Sequence, residues 1–486
     1  MIEELIVKSD ENVRRALNVI DQSSKGICFI VDDNGVLTGL LADGDVRRSF
    51  LAGADLETCV SDIMVTNFLA LPVETDAKII NGHLDKKIRV IPLLDDDGRP
   101  VDYATLFRNH AIPSAEPSLG GNEFDYVAEC INTNWISSQG RFVKQFETGF
   151  ADYIGVPHGI AVSNGTVALH LALVALGVGP GDEVIVPDLT FAASAAAVIH
   201  AGATPVLVDI NLTDWCLDPA AVENAITERT RAIMPVHLYG QIADMDAILK
   251  IAKRHGLLVV EDCAEALGSS YRGRNPGSFG DAGTFSFFGN KLLTTGEGGM
   301  IVFRDDAVAE RARRLRDHGM NPQKRYWHDD VGYNYRLTNI QAAIGVAQLE
   351  RIDSIVERKL GMAQMYHDAL KDIPQLVLPS SRDGVVNTCW MYPVLLNEKE
   401  ASISMDDFES RMKLRGIDTR RVFYPLHEMP PYQEFSGNRE FPNTKRISST
   451  GISLPSSINL TPTDVRYIAD SIIQILEVRD LMQQSS

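Results

Sequence analysis

The stretch Leu257-Leu-Val-Val-Glu-Asp262 decides the fold. Its four apolar residues, two of them β-branched, form an unbroken run closed by two acids, the pattern of a short strand covered on both faces. Four more runs share that character: Gly159-Ile-Ala-Val162, Glu183-Val-Ile-Val186, Thr204-Pro-Val-Leu-Val-Asp209 and Ala232-Ile-Met-Pro-Val236. Helical patterns lie between them, as over residues 243–255. Strands alternating with helices predict an α/β fold, a mostly parallel sheet with helices on both faces. Ligands of such sheets gather at the carboxyl ends of the strands, so the residues that close each run are where chemistry is expected.

The whole chain has 486 residues, enough for two or three domains. At 45% hydrophobic and 23% charged it has the composition of a globular protein. A formal net charge of −19 speaks against nucleic-acid binding, which needs clustered Lys and Arg to neutralise phosphates. Cys28, Cys59, Cys130, Cys216, Cys263 and Cys389 are scattered without a Cys-x-x-Cys pair, so thiols in a reducing compartment are expected, with no zinc site and no disulfides. The first residues lack a basic segment followed by an apolar one, and the apolar stretch 166–178 contains His170. No signal peptide and no membrane span are expected, and the location expected is the cytoplasm.

Prolines and glycines in Ile112-Pro-Ser-Ala-Glu-Pro-Ser-Leu-Gly-Gly121 predict a linker over 113–122 that separates a first domain, 1–112, from a larger second one. Inside the first, Cys28-Phe-Ile-Val-Asp-Asp-Asn-Gly-Val-Leu-Thr-Gly-Leu-Leu41 and Val90-Ile-Pro-Leu-Leu-Asp-Asp-Asp-Gly-Arg-Pro-Val-Asp-Tyr103 each read as strand, acidic turn and strand. These two units resemble a tandem cystathionine-β-synthase (CBS) domain pair, whose members often bind adenine nucleotides and regulate an attached enzyme. In that family a Ser or Thr and, three residues on, an Asp hold the ribose. Here Asp45 is kept, Ala42 replaces the hydroxyl, and Arg108 stands where the second Asp would fall. The resemblance implies either an adenine nucleotide at Asp45 or a structural or dimerising role.

The ends of the strands in the second domain carry three features. Val162-Ser-Asn-Gly-Thr166 leads straight into an apolar helix. It is either an ordinary helix cap or a phosphate site made from free N–H groups and the hydroxyls of Ser163 and Thr166. Asp262, at the close of a buried strand, needs a partner: a heterocyclic N–H⁺, a helix start or a basic side chain. Lys291 follows 29 residues later, between Ser286 and the glycine-rich Thr294-Thr-Gly-Glu-Gly-Gly299. A phosphate cradle, a carboxylate for a pyridinium nitrogen and a lysine amine are together what pyridoxal 5'-phosphate demands.

From residue 123 onward the chain resembles the pyridoxal-phosphate sugar aminotransferases of the DegT/DnrJ/EryC1/StrS family, which have fold type I. The motifs Asn134-Trp-Ile-Ser-Ser-Gln-Gly140, Ser163-Asn-Gly-Thr166, Glu261-Asp-Cys-Ala-Glu-Ala-Leu-Gly268, Ser286-Phe-Phe-Gly-Asn-Lys291, Gly332-Tyr-Asn-Tyr-Arg336 and Tyr424-Pro-Leu-His427 carry the resemblance in order. Phe288-Gly-Asn-Lys291, Thr294 to Gly299 and Arg325-Tyr-Trp-His328 are most similar to members that aminate GDP-4-keto-6-deoxymannose at carbon 4 in making surface polysaccharides. Acceptors linked to UDP or dTDP, or a keto-cyclitol, are the alternatives. A non-catalytic nucleotide sensor would be a different class of protein, and sugar dehydratases of this fold carry histidine in place of Lys291.

The resemblance implies a cofactor-binding domain over 123–365 and a small α/β domain over 366–486. It implies Lys291 as the amine that holds the cofactor and carries the proton, Asp262 as the pyridinium partner, and Gly165, Thr166 and Ser286 as phosphate ligands. Phe191 would stack on the ring, or be a core aromatic. Asn334 would reach the cofactor phosphate of a second copy, which implies a homodimer, or be a turn residue. Glu265 stands where many relatives carry Gln near the ring oxygen, so its acid would be protonated or paired. Ser137, His237, His328 and His427 would line the sugar-nucleotide pocket, although a histidine at a strand end is also a common structural residue. Glutamate would donate the amino group.

Overall fold

A computed structural model of the chain describes residues 2–23, 26–73, 75, 77–84, 88–105 and 112–483. The chain forms two compact units, Met1–Ile112 and Pro113–Ser486. Arg108, singled out above, lies outside the described residues.

The first unit holds two small sheets of the same design. β1 (Ile6–Lys8) pairs parallel with β2 (Ile27–Val31), which pairs antiparallel with β3 (Leu37–Ala42). β4 (Leu71–Pro72) pairs parallel with β5 (Val90–Leu94), which pairs antiparallel with β6 (Pro100–Thr105). The acidic turns repeat too: Asp32 Oδ1 accepts from the N–H groups of Asn34 and Val36, and Asp95 Oδ1 from those of Asp97 and Arg99. Such Asx turns explain why an acid opens each hairpin. Phe29 of β2 and Tyr103 of β6 meet edge to face, with ring centroids 6.5 Å apart.

The second unit is built on a seven-stranded sheet of order β7-β14-β13-β11-β10-β8-β9. Its strands are β7 (His158–Val162), β8 (Glu183–Pro187), β9 (Thr204–Val208), β10 (Thr230–Ile233), β11 (Leu258–Asp262), β13 (Ala282–Ser286) and β14 (Gly299–Phe303), with the two-residue β12 (Ser270–Tyr271) outside it. Both faces are buried. Val184 and Val186 of β8 pack with the helix Gly165–Ala175, while Ile185 packs on the other face with the helix Met245–His255. That two-sided burial is why the strands read as continuous apolar runs.

Two details differ from the sequence reading. β10 ends at Ile233, because Pro235 has no N–H for the ladder; Val236 rejoins only through a single bridge to Asp262. β13 and β14 add two strands, and β14 alone runs against the rest. The connection over residues 287–298 forms no helix to carry the chain across the sheet, and β14 returns beside β13 in the antiparallel sense.

After the long helix Ile352–Leu370 come β15 (Leu376–Val377), β16 (Val385–Val386), β17 (Tyr392–Leu396), β18 (Arg420–Arg421) and β19 (Gly451–Leu454). Four of them form an antiparallel sheet of order β15-β17-β19-β18, and β16 pairs with β12. Among the described residues no helix is long and apolar enough to cross a membrane.

Candidate active site

The carboxyl ends of β7, β11 and β13 open on one cavity of about 700 Å³, which β18 also lines. Its floor starts with Asn164, whose Oδ1 accepts from the N–H of Val167 at 3.0 Å and so caps the helix Gly165–Ala175. The cap satisfies one orphan N–H and leaves those of Gly165 and Thr166 at the start of the helix, where its dipole favours an anion. Gly165 has to be glycine. A Cβ there would lie 2.8 Å from Ser286 Cβ, so only its absence lets the hydroxyl of Ser286 sit beside the helix start. Asn164 is the cap, and Gly165, Thr166 and Ser286 lie together at the start of the helix.

Asp262 lies at the end of β11, almost wholly buried. Its Oδ2 accepts from Ser194 Oγ at 2.8 Å and its Oδ1 from the N–H of Ala264 at 3.1 Å. Burial raises its pKa, against the bonds from Ser194 and Ala264 and the charge of Lys291, and a cationic ring N–H would favour its charged form further. The Nζ of Lys291 stands 3.6 Å from Glu265 Oε1 and 3.7 Å from the centroid of the Trp390 ring. Burial pushes this amine below the usual lysine range, against the opposing pull of Glu265 and Asp262. Burial likewise pushes Glu265 up to about 7, although Lys291 and the N–H of Tyr239, donating at 3.0 Å, favour its charged form. The lowered pKa brings the amine closer to the free base that attacks carbonyl carbon.

One wall is aromatic. Tyr239 stacks between Trp390 and Phe423, at centroid distances of 6.1 and 5.4 Å, and its φ of +51° is unusual for a non-glycine residue. That backbone turns its N–H onto Glu265. Phe191, 61% exposed, offers an open ring face to the same cavity.

Gly165, Thr166, Phe191, Asp262, Glu265, Ser286 and Lys291 thus meet in one place. The other expected residues do not line it. His237 is fully buried: its ring bonds Glu261 Oε2 at 3.0 Å and accepts from the N–H of Ala243 at 3.2 Å, so neither nitrogen is left for a substrate. Glu261 in turn takes the N–H groups of Gly277, Phe279 and Gly280, which makes the pair part of the fold and leaves the nearby Cys263 with no ligand set to complete. His427 holds Asp188 Oδ2 through its Nδ1 at 2.6 Å and stacks on Phe441 at 4.5 Å, while its buried Nε2 has no hydrogen-bond partner among the described residues. Ser137, His328 and Asn334 are exposed outside the cavity.

Sequence reasoning missed Ser194, Tyr239, Trp390 and Arg420. Ser194 is the one hydroxyl in the alanine-rich Phe191-Ala-Ala-Ser-Ala-Ala-Ala197, a signal that could have been used. Nothing in the sequence brings Trp390 or Arg420 to Lys291, because they arrive from the C-terminal sheet.

The residues fit pyridoxal phosphate: a cradle that a Cβ would close, a buried carboxylate in want of a cation, an open aromatic face and a desolvated amine. Fold and site together define a pyridoxal-phosphate enzyme of fold type I. Residues 117–473 match the DegT/DnrJ/EryC1/StrS aminotransferase family, and the chain belongs to it. It is 51% identical over 366 residues to the GDP-perosamine synthase of Caulobacter vibrioides, covering 75% of this chain and 98% of the relative. To the GDP-perosamine synthase of Escherichia coli O157:H7 it is 46% identical over 361 residues, covering 74% and 97%. The crystal structure of S. venezuelae DesV in complex with a ketimine intermediate superposes with a TM-score of 0.69 at 37% identity, over 73% of this chain and 94% of that one. The chain is a pyridoxal-phosphate-dependent sugar aminotransferase, as its sequence led one to expect.

When bound, the cofactor supplies an electron sink for a carbanion at the carbon bearing the amine. The chain's part is to anchor, orient and move protons. The cradle fits the phosphate and Asp262 a protonated ring nitrogen. Lys291, desolvated, suits a proton carrier between donor and acceptor carbons.

Proposed function

We propose that this chain transfers the amino group of glutamate to carbon 4 of GDP-4-keto-6-deoxymannose, with Lys291 and Asp262 as its catalytic residues and Gly165, Thr166, Ser286, Phe191 and Glu265 as its cofactor contacts. The observation that carries the reaction is the Nζ of Lys291 held 3.6 Å from Glu265, beside Asp262 and the anion cradle. The choice of acceptor is supported by the likeness to GDP-perosamine synthases over nearly their full length. The test is a panel of GDP-, UDP- and dTDP-linked ketosugars with glutamate and cofactor, followed by mass spectrometry of the products. Preferred amination of the GDP sugar supports the reading, and a higher kcat/KM on a UDP or dTDP sugar overturns it.

The active form is a homodimer in this reading. Trp135, Ile136, Tyr326, Trp327 and Val331 are all exposed, on the segments that carry Ser137, His328 and Asn334. Covering them with a second copy would bring those three polar residues to that copy's cavity. Sedimentation that finds a fully active monomer contradicts this. The first unit is a CBS-type pair with a structural role: Asp45 already accepts from the N–H of Ala42 and pairs with Arg48, which leaves it little capacity for a ribose. Calorimetry of the full chain with AMP and ATP checks it, and saturable binding would favour a regulatory role. The described cysteines, all unpaired, support a cytoplasmic location.

A further inference from the structure

Trp390 is buried beside the cavity, and the centroid of its ring lies 3.7 Å from Lys291 Nζ. The contact is held from several sides. The indole N–H donates at 2.8 Å to the carbonyl of Asn290, the residue before Lys291, so ring and amine are tied to one stretch of backbone. Tyr239 stacks on the indole with the two planes 11° apart. The residue before the tryptophan, Cys389, has a φ of +49°, kept by its N–H donating to Asn387 Oδ1 at 2.7 Å. Gly240 makes room for that turn, since a Cβ there would lie 2.8 Å from the nitrogen of Cys389 and 3.1 Å from that of Trp390. A positive φ at a non-glycine residue costs energy and persists only where its surroundings hold it.

Other charges act on the same amine. Burial and the charge of Arg420 disfavour its cationic form, while Glu265 and Asp262 favour it. Glu297 and Arg421 line the same cavity, and Glu116 and Lys359 line a smaller one that Lys291 shares. An aromatic face differs from these carboxylates in a way that bears on the reaction. Both attract an ammonium, but a carboxylate can accept its proton and a π face cannot. Glu265, whose pKa burial raises to about 7, is a base able to take it.

A lysine that carries a proton between two carbons becomes an ammonium in mid-reaction, whatever its resting state. The proton leaves the donor's α carbon, whose electron pair stays behind, is held on Nζ, and is released to the acceptor carbon, so Lys291 ends as it began. Such a carrier needs a seat that stabilises the charge and leaves the proton in place. We propose that Trp390 is the positioning residue that supplies this seat, its π face holding the Lys291 ammonium while the proton is carried. This rests on Lys291 being the proton carrier of the aminotransferase reading, but not on the identity of the sugar.

The experiment uses the full-length protein in two forms. In the first, freed of cofactor, Lys291 is labelled with trinitrobenzenesulfonate across a range of pH, and its peptide is followed by mass spectrometry. Removing a group that favours the ammonium lowers the pH midpoint of labelling, and Trp390→Leu should raise the acid dissociation constant of the amine about tenfold, as for a desolvated cation–π contact, with Trp390→Phe in between. In the second, the holoenzyme is mixed with glutamate in single turnover. The weaker base should slow conversion about 3- to 10-fold in Trp390→Leu, at a step that α-deuterated glutamate also slows, with Trp390→Phe recovering part of the loss. Replacing tryptophan throughout by analogues bearing one, two and three fluorines drains the π face and keeps the fold, so the rate should fall stepwise with fluorine number and stay flat in the Trp390→Phe background. A rate indifferent to fluorination, or a labelling midpoint unmoved in Trp390→Leu, overturns the proposal and leaves the aminotransferase reading intact. A wild type that no amino acid converts overturns that reading, and this proposal with it.

Discussion

The two units of this chain differ in where they keep their charge. Among the described residues of the first, no polar or charged side chain is buried. Its acids open turns and cap helices at the surface, as Asp32, Asp95 and Asp45 do. The second unit buries Asp188, Glu261, Asp262 and Glu265. Because a buried charge is costly, each one has to answer to structure or to chemistry. Asp188 and Glu261 answer to structure, their oxygens filled by His427 and by three backbone N–H groups with His237. Asp262, Glu265 and Lys291 face a cavity and are only partly satisfied. That remainder is what a cofactor and its substrates can use.

The contrast breaks most sharply at Lys291. Lys291→Ala is expected to lower kcat by at least about 10⁴-fold, the upper range for a positioned proton-transfer group, with the thermal midpoint little changed. Repeated turnover by that variant would sink the assignment. Asp262→Asn keeps the shape and removes the charge, and should cost about 10²- to 10³-fold in kcat, as when a preorganised electrostatic partner is lost. Gly165→Ala drives a methyl toward Ser286, so a cofactor titration should show affinity weakened about tenfold, matching about 1.4 kcal/mol of crowding.

Glu265→Gln sharpens the comparison through pH. The folded pKa of Glu265 is raised from 4.5 to about 7, so the native state binds the extra proton in that window and stability falls as pH rises through it. The glutamine variant, measured without cofactor, should show a flatter thermal midpoint between those pH values and be no less stable than wild type at pH 8. The smallest effect belongs to the first unit. Asp45→Ala removes a helix-start bond to the N–H of Ala42, worth about 1 kcal/mol of that unit's stability by denaturant melting, with aminotransferase kinetics unchanged.

What was legible in the sequence follows the same division. Parallel strands buried on both faces leave continuous apolar runs, and Asp262, Gly165 and Ser286 close strands or follow them directly, so pattern and chemistry coincide there. β13 was harder to read, since Gly283 and the alternation in Ala282-Gly-Thr-Phe-Ser286 break its apolar run. The aromatic wall and Arg420 come from residues far apart in the chain, and Tyr239 acts through a backbone angle that no side-chain pattern encodes. His237 and His427 read as pocket residues because they sit beside strand ends and loops. Only the coordinates reveal that Glu261 and Asp188 already hold them.

The most direct test of the central claim is the visible absorption of the purified full-length protein, recorded with pyridoxal phosphate before and after an amino donor is added. The expected result is a visible band that disappears with glutamate, returns with 2-oxoglutarate, and fails to form in Lys291→Ala. A wild-type protein that stays colourless with added cofactor, or a band that Lys291→Ala retains unchanged, would contradict it.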